Sequence, residues 1–295
     1  MGTVTTERRL ALLALFGGAT GIGFAPILVR WSETGPSATA FFRLLFALPF
    51  LWLWMRTEQR KEQAPVQPVS RADFLKLAAA GLLFVGDLAT WHWSLQFTSV
   101  ANSTLLANFA PVFVTLGAWL LFREPLQPRF LGALAIALAG AALLVVDSLE
   151  LSPAHLRGDL LAVTAAISYA GYLLAVKRLR RRFSTATIMA WSGVASCLGF
   201  LIVAVVSGDR LLAVSATGWL VLLASALICH VGGQTLIAYG LGHLPASFSS
   251  VGLLWQPVVA ALLAWVALGE PLSWWQIAGG VVVLAGIGAA SRAYS

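Results

Sequence analysis

Charge is what this sequence has least of. Of its 295 residues only 11% are Asp, Glu, Lys or Arg, where a soluble domain carries about a quarter. Hydrophobic residues make up 59%, more than an interior of this size could hide, so lipid must be the solvent for much of the surface. Cysteine is nearly absent. Cys197 and Cys229 both lie inside apolar runs, far from any metal-ligand spacing. That excludes a disulfide framework and leaves two small packing residues. No Gly-x-x-x-x-Gly-Lys-Ser/Thr loop offers a nucleotide cradle, which speaks against an ATP-driven pump. The chain also has no His-x-x-x-His, no Cys/His cluster and no Gly-x-Ser-x-Gly. An intramembrane enzyme would therefore lack a nucleophile or metal set, and neither a metal nor a cofactor is expected. Nothing resembles the charge ring or carbonyl filter of a channel.

What is present is apolar sequence in long runs. A bilayer core needs roughly 17–25 such residues per helix. Ten segments qualify: Leu10–Trp31, Pro36–Arg56, Ala72–Phe97, Val100–Phe122, Pro128–Asp147, Gly158–Lys177, Ser184–Val206, Ala213–Leu241, Pro245–Leu268 and Ser273–Arg292. Backbone polar groups in lipid must be satisfied within their own segment, so each is expected to be helical. Arg8 and Arg9 precede the first run, which continues through Gly and Ala to Trp31 without a small-residue cleavage site. It reads as a retained membrane helix. The net charge of +7 could suggest nucleic acid. The basic residues instead cluster between apolar runs, which indicates membrane topology and no nucleic-acid partner.

Those clusters set the orientation. With the N-terminus inside, fifteen Lys and Arg fall in the inner segments and three in the outer ones, and Arg43 alone lies within a span. Both termini are therefore expected in the cytoplasm. The chain also repeats. Pro111 and Glu124-Pro125-Leu126 return as Pro257 and Glu270-Pro271-Leu272, each shifted by 146 residues. A fixed offset across half a chain marks an internal repeat. The halves, 1–150 and 151–295, hold five helices each. An odd number per half inserts the two in opposite directions, the inverted repeat common in secondary transporters. The short link Ser148–Leu156, with Glu150 and Asp159 around Pro153, is expected outside. Thr57–Arg71, with Pro65 and Pro68, is the one long loop and is expected to be mobile.

Two five-helix halves, each closing on a Glu-Pro-Leu turn and a Gly/Ala-rich fifth helix, resemble the EamA family of the drug/metabolite transporter superfamily. Arg43, in Ala-Phe-Phe-Arg-Leu-Leu-Phe-Ala, matches an arginine that the family often carries in its second helix, and the second half lacks an arginine at the matching place. The abundance of Trp makes the chain look most like aromatic amino acid exporters of the YddG type. The resemblance implies an all-α polytopic fold, export of a small metabolite, and residence in a cell membrane of the bacterial inner-membrane kind.

Candidate site residues follow from polar groups at mid-depth. Asp87 and Trp91 share one face of the third segment. His230 and Gln234, at i and i+4, share one face of the eighth. A carboxylate in lipid costs several kcal/mol, so Asp87 either faces a cavity or pairs with a neighbour such as Arg43. Asn108 on the fourth segment and Gln256 on the ninth sit beside Pro111 and Pro257, which free a backbone carbonyl. Ser168 and Tyr172 share a face of the sixth. Each of these polar groups could line a site or serve as interhelical glue. Trp91 and Trp255 are placed to stack on an aromatic solute or a cation, whereas Trp119 and Trp265 also suit apolar filler. Gly21, Gly23 and Pro26 loosen the first segment, and with Pro111 and Pro257 they are candidate bending points. The reading is a secondary transporter working by alternating access, exporting aromatic or other neutral amino acids. Another small metabolite or drug-like cation is the alternative, with an enzyme or a channel more distant. Protons are a candidate coupling ion, with Asp87 and His230 the candidate carriers.

Overall fold

The computed structural model describes residues 2–61, 64–149 and 152–294. Every regular element among them is helical. Nine helical spans are long and apolar enough to cross a bilayer. The expected tenth is shorter. Its helix, α7 (Pro128–Leu143), has 16 residues and rises about 24 Å, against a hydrocarbon core of about 30 Å. The run to Asp147 instead turns and closes in a 3-10 stretch, Val146–Ser148. Among the described residues there are thus nine full spans and one short apolar helix, where ten spans were expected.

Several spans are interrupted. The first is α1 (Gly2–Gly23) and α2 (Ala25–Trp31), broken at Phe24 with Pro26 opening the second piece. The second, third, sixth and seventh are the continuous helices α3 (Pro36–Gln59), α4 (Arg71–Ser94), α8 (Leu156–Leu179) and α9 (Thr185–Val206). The fourth is α5 (Val100–Ala107) and α6 (Ala110–Phe122). The eighth is α10 (Ala216–Ala224), a π-helical stretch Ser225–Gln234, and α11 (Thr235–His243). The ninth is α12 (Ala246–Gly252) and α13 (Trp255–Leu268), and the last is α14 (Trp274–Ala293). Serine caps set several starts. Ser99, Ser184 and Ser215 accept from the N–H three residues on, and Ser273 forms a capping box with Gln276, supplying orphan donors with acceptors.

The chain forms two compact units. The first combines Met1–Val85 with Ala175–His243. In it α1 crosses the π stretch at glycines. A methyl on Gly18 would sit 2.6 Å from the Gly233 carbonyl oxygen, and one on Gly21 2.9 Å from that of Ile228. Two carboxylates clasp distant loops. Glu33 accepts from Val214 N (2.7 Å), Ser215 N (3.0 Å) and Ser215 Oγ (2.5 Å). Asp209 accepts from Ser37 N (2.7 Å) and Ala38 N (2.9 Å) at the start of α3. The Ser215 hydroxyl first, then the Ser215 and Val214 N–H groups, hold the Glu33 carboxyl below its usual range. Elsewhere in the unit Arg182 pairs with Asp73 at 2.6 Å. The long loop after α3 makes two polar contacts over its described part. Gln59 Nε2 donates to the Pro65 carbonyl, Gln67 Nε2 donates to Thr187 Oγ1, and Pro68 is buried.

The second unit combines Gly86–Leu174 with Leu244–Ser295. Here α7 and α14 lie together through glycines. A methyl on Gly140 would meet Val283 N at 2.5 Å, and one on Gly286 would meet Ala137 N at 2.5 Å. Glu124 caps α12, accepting from Ala246 N (2.8 Å), Ser247 N (3.1 Å) and Ser247 Oγ (2.6 Å). Its role is to fix a turn to a helix start. Thr98 Oγ1 donates to Asp159 at 2.7 Å. Glu150, expected in the link between the halves, lies outside the described residues.

Candidate solute site

In the first unit, Arg43 on α3 donates from Nη2 to the carbonyl of Cys229 in the π stretch, at 3.3 Å. The next residue, His230, is 2% exposed, and its ring lies 6.0 Å from that of Phe84. Gln234, also 2% exposed, ends the stretch. Arg43 Nε, both His230 ring nitrogens and Gln234 Nε2 are buried without a hydrogen-bond partner. A π-helix pairs each N–H five residues back instead of four, and such turns recur at functional sites. Gly21 on α1 lies against this stretch, where an added methyl would meet Ile228 and Gly233, and Gly23 ends α1. A recess of about 560 Å³ in the same unit is lined by Phe46, Ala216, Trp219, Leu220 and Leu223. It contains none of the expected site residues.

In the second unit the two broken spans match. The fourth breaks at Asn108–Phe109 and the ninth at Leu253–Leu254, and residue 108 shifted by the repeat offset of 146 is residue 254. Pro111 and Pro257 follow. Each lacks an N–H, so the carbonyls of Ala107 and Leu253 lose their α-helical partner. The turns tighten in response: Val112 N donates to the Phe109 carbonyl and Gln256 N to that of Leu253, both at 2.9 Å. Asn108 Nδ2 and Gln256 Nε2 are buried there without partners. Trp255, half-buried, opens α13.

Asp87 is half-buried on α4. Its neighbour Gly86 lies against α8, where an added methyl would be 3.3 Å from Ser168 Oγ. Trp91 is half-buried beside His92, ring centroids 5.4 Å apart. Tyr172 is buried and stacks on Tyr169 at 6.3 Å. Asp87, Trp91, Asn108, Ser168, Tyr172, Trp255 and Gln256 belong to the second unit, and His230 and Gln234 to the first. Trp119 and Trp265, at positions matched by the repeat, are 52% and 53% exposed, as residues facing lipid would be.

Sequence reasoning left Arg43 out of the candidate set. The signal was there, since it is the one Lys or Arg in mid-span, and an ionisable residue inside the membrane is functional by default.

The sequence model of the EamA-like transporter family matches twice, over residues 9–146 and 156–292. The chain belongs to the EamA-like transporter family. It is a transporter and not an enzyme, spanning the membrane several times. A protein of Archaeoglobus fulgidus described as an uncharacterized transporter is 25% identical, aligned over 96% of each chain. A probable amino-acid metabolite efflux pump of Salmonella typhimurium is 28% identical over 94% of this chain and 92% of its own. A crystal structure matches with a TM-score of 0.81 at 18% identity, over 97% of this chain and 98% of the other, which shows the fold.

Proposed function

We propose that this EamA-like transporter is a secondary exporter of small metabolites, foremost aromatic or other neutral amino acids. It works by alternating access of two inverted repeats, 1–150 and 151–295, with both termini in the cytoplasm of a bacterial inner membrane. The observation that carries the reading is the pair of helix breaks at matched positions, each followed by proline and flanked by a buried amide without a partner. Non-helical backbone at membrane depth is tolerated where it lines a cavity, and broken helices form the substrate sites of many secondary transporters. The double match of the family model supports the repeats. The name of the Salmonella relative supports efflux of an amino-acid metabolite. Asp87, Trp91, Asn108, Ser168, Tyr172, His230, Gln234, Trp255 and Gln256 are the proposed contacts. Gly21, Gly23, Pro26, Pro111 and Pro257 are the proposed bending points, and Asp87 and His230 the proposed proton carriers.

Proteoliposomes test this. Saturable uptake of labelled tryptophan, accelerated by unlabelled amino acid on the opposite side, is expected. Linear conductance would indicate a pore instead. Asp87→Asn should abolish or uncouple the flux while the protein still elutes as a folded species; wild-type flux would remove Asp87 from the mechanism. Trp91→Ala and Trp255→Ala should weaken aromatic solutes more than aliphatic ones.

A further inference from the structure

We propose that Arg43, His230 and Gln234 form a site for a single carboxylate group, carried by the transported solute. The argument is an inventory of donors. Arginine has five N–H donors and no acceptor, and an amide nitrogen only donates. One Arg43 donor is used, on the Cys229 carbonyl. Its Nε, the one N–H of a neutral His230 ring and Gln234 Nε2 are unused donors, on side chains at least nine-tenths buried. Buried charges in proteins are paired. The partner that Arg43 does have, the Cys229 carbonyl, carries no charge. The unmet capacity is therefore for an acceptor, and for negative charge.

Size and charge narrow the class. A guanidinium fork fits the two oxygens of a carboxylate. A phosphate dianion would bring two charges against one cation beside Phe84, where the second charge has no partner. Residue 43 shifted by the repeat offset of 146 is Met189, so the second half has no matching arginine and there is one such site per chain. The proposal rests on the transport reading for the origin of the carboxylate. It goes beyond that reading by fixing which end of the solute this unit holds.

The test uses the purified full-length protein and matched probes: tryptophan against tryptophanamide and tryptamine, benzoate against benzamide, and sodium chloride alone. Binding is read as the ligand-induced rise in melting temperature and as displacement of labelled tryptophan. Wild type should prefer each carboxylate over its amide by about 10- to 100-fold, the range for a charged hydrogen bond. Arg43→Gln should erase that preference. Should Arg43→Gln fail to fold, Gln234→Glu supplies the anion from within the chain and should erase it too. Equal binding of acid and amide to wild type overturns the proposal, as does a preference that survives both substitutions or stabilisation by chloride equal to that by benzoate. Counterflow without carboxylate preference sinks this site and leaves transport standing. Carboxylate binding with no flux of any solute does the reverse.

Discussion

Arg123 and Gly269 occupy equivalent places, one at the end of α6 and one at the end of α13, and both take a left-handed conformation, φ 58° and φ 70°. The hydrogen bonds match as well. Arg123 N reaches back to the Trp119 carbonyl and Gly269 N to that of Trp265, the 5→1 bond of the left-handed cap motif. Only glycine enters this conformation without a steric penalty, which is about 1 kcal/mol for other residues. Arg123→Gly should therefore raise stability by up to about 1 kcal/mol, seen as a melting shift of about 2 °C upward. Gly269→Ala should lower it similarly. The Glu-Pro-Leu repeat in the sequence marked both turns but not their backbone conformation. For Asn108, Gln256, His230 and Gln234 the sequence supplied polarity and depth. That their nitrogens are buried without partners depends on rotamers and neighbours, which no pattern of residues encodes.

At the scale of elements, proline told where spans four and nine would break, because a missing N–H acts on a fixed carbonyl. The break at Phe24 in span one likewise adjoins Pro26. The π stretch was not legible. Apolar periodicity does not separate four-residue from five-residue bonding over ten residues, and Ser225–Gln234 contains no proline. The shortness of α7 was equally hidden, since Leu144 and Val145 extend the apolar run past the last helical hydrogen bond. The crossing of α1 on the π stretch depends on Gly18 and Gly21, where backbone meets backbone. Gly18→Leu should destabilise the protein by roughly 1–3 kcal/mol or more, checked by loss of the monodisperse peak in detergent. Leucine at Gly132, whose added methyl would meet nothing within 4 Å, should be tolerated.

Across the whole molecule, the all-helical membrane architecture and the membership of a transporter family were readable from composition, run length and the Glu-Pro-Leu offset. The compact units were not, because each draws on both halves of the chain. In the first unit, polar ties help to join distant stretches. Glu33 reaches residues 181 and 182 positions away, and Asp209 reaches 171 and 172. Since Glu33 titrates below its usual range when folded, its contribution is present above the unfolded carboxylate pKa of about 4.3 and is lost as pH falls through the lowered folded value. Melting temperature should accordingly decline below about pH 4, and Glu33→Gln should flatten that part of the profile. An unchanged acid limb in the variant would show that other carboxylates carry it.

The clasp at Glu33 also bears on the span that it starts. That span holds 28 residues where α4, its counterpart in the first half, holds 24. Its beginning is gripped by that carboxylate, and close to its far end a methyl on Gly242 would meet Arg180. Between these two fixed points lie the wider turns Ser225–Gln234, which carry His230 and Gln234.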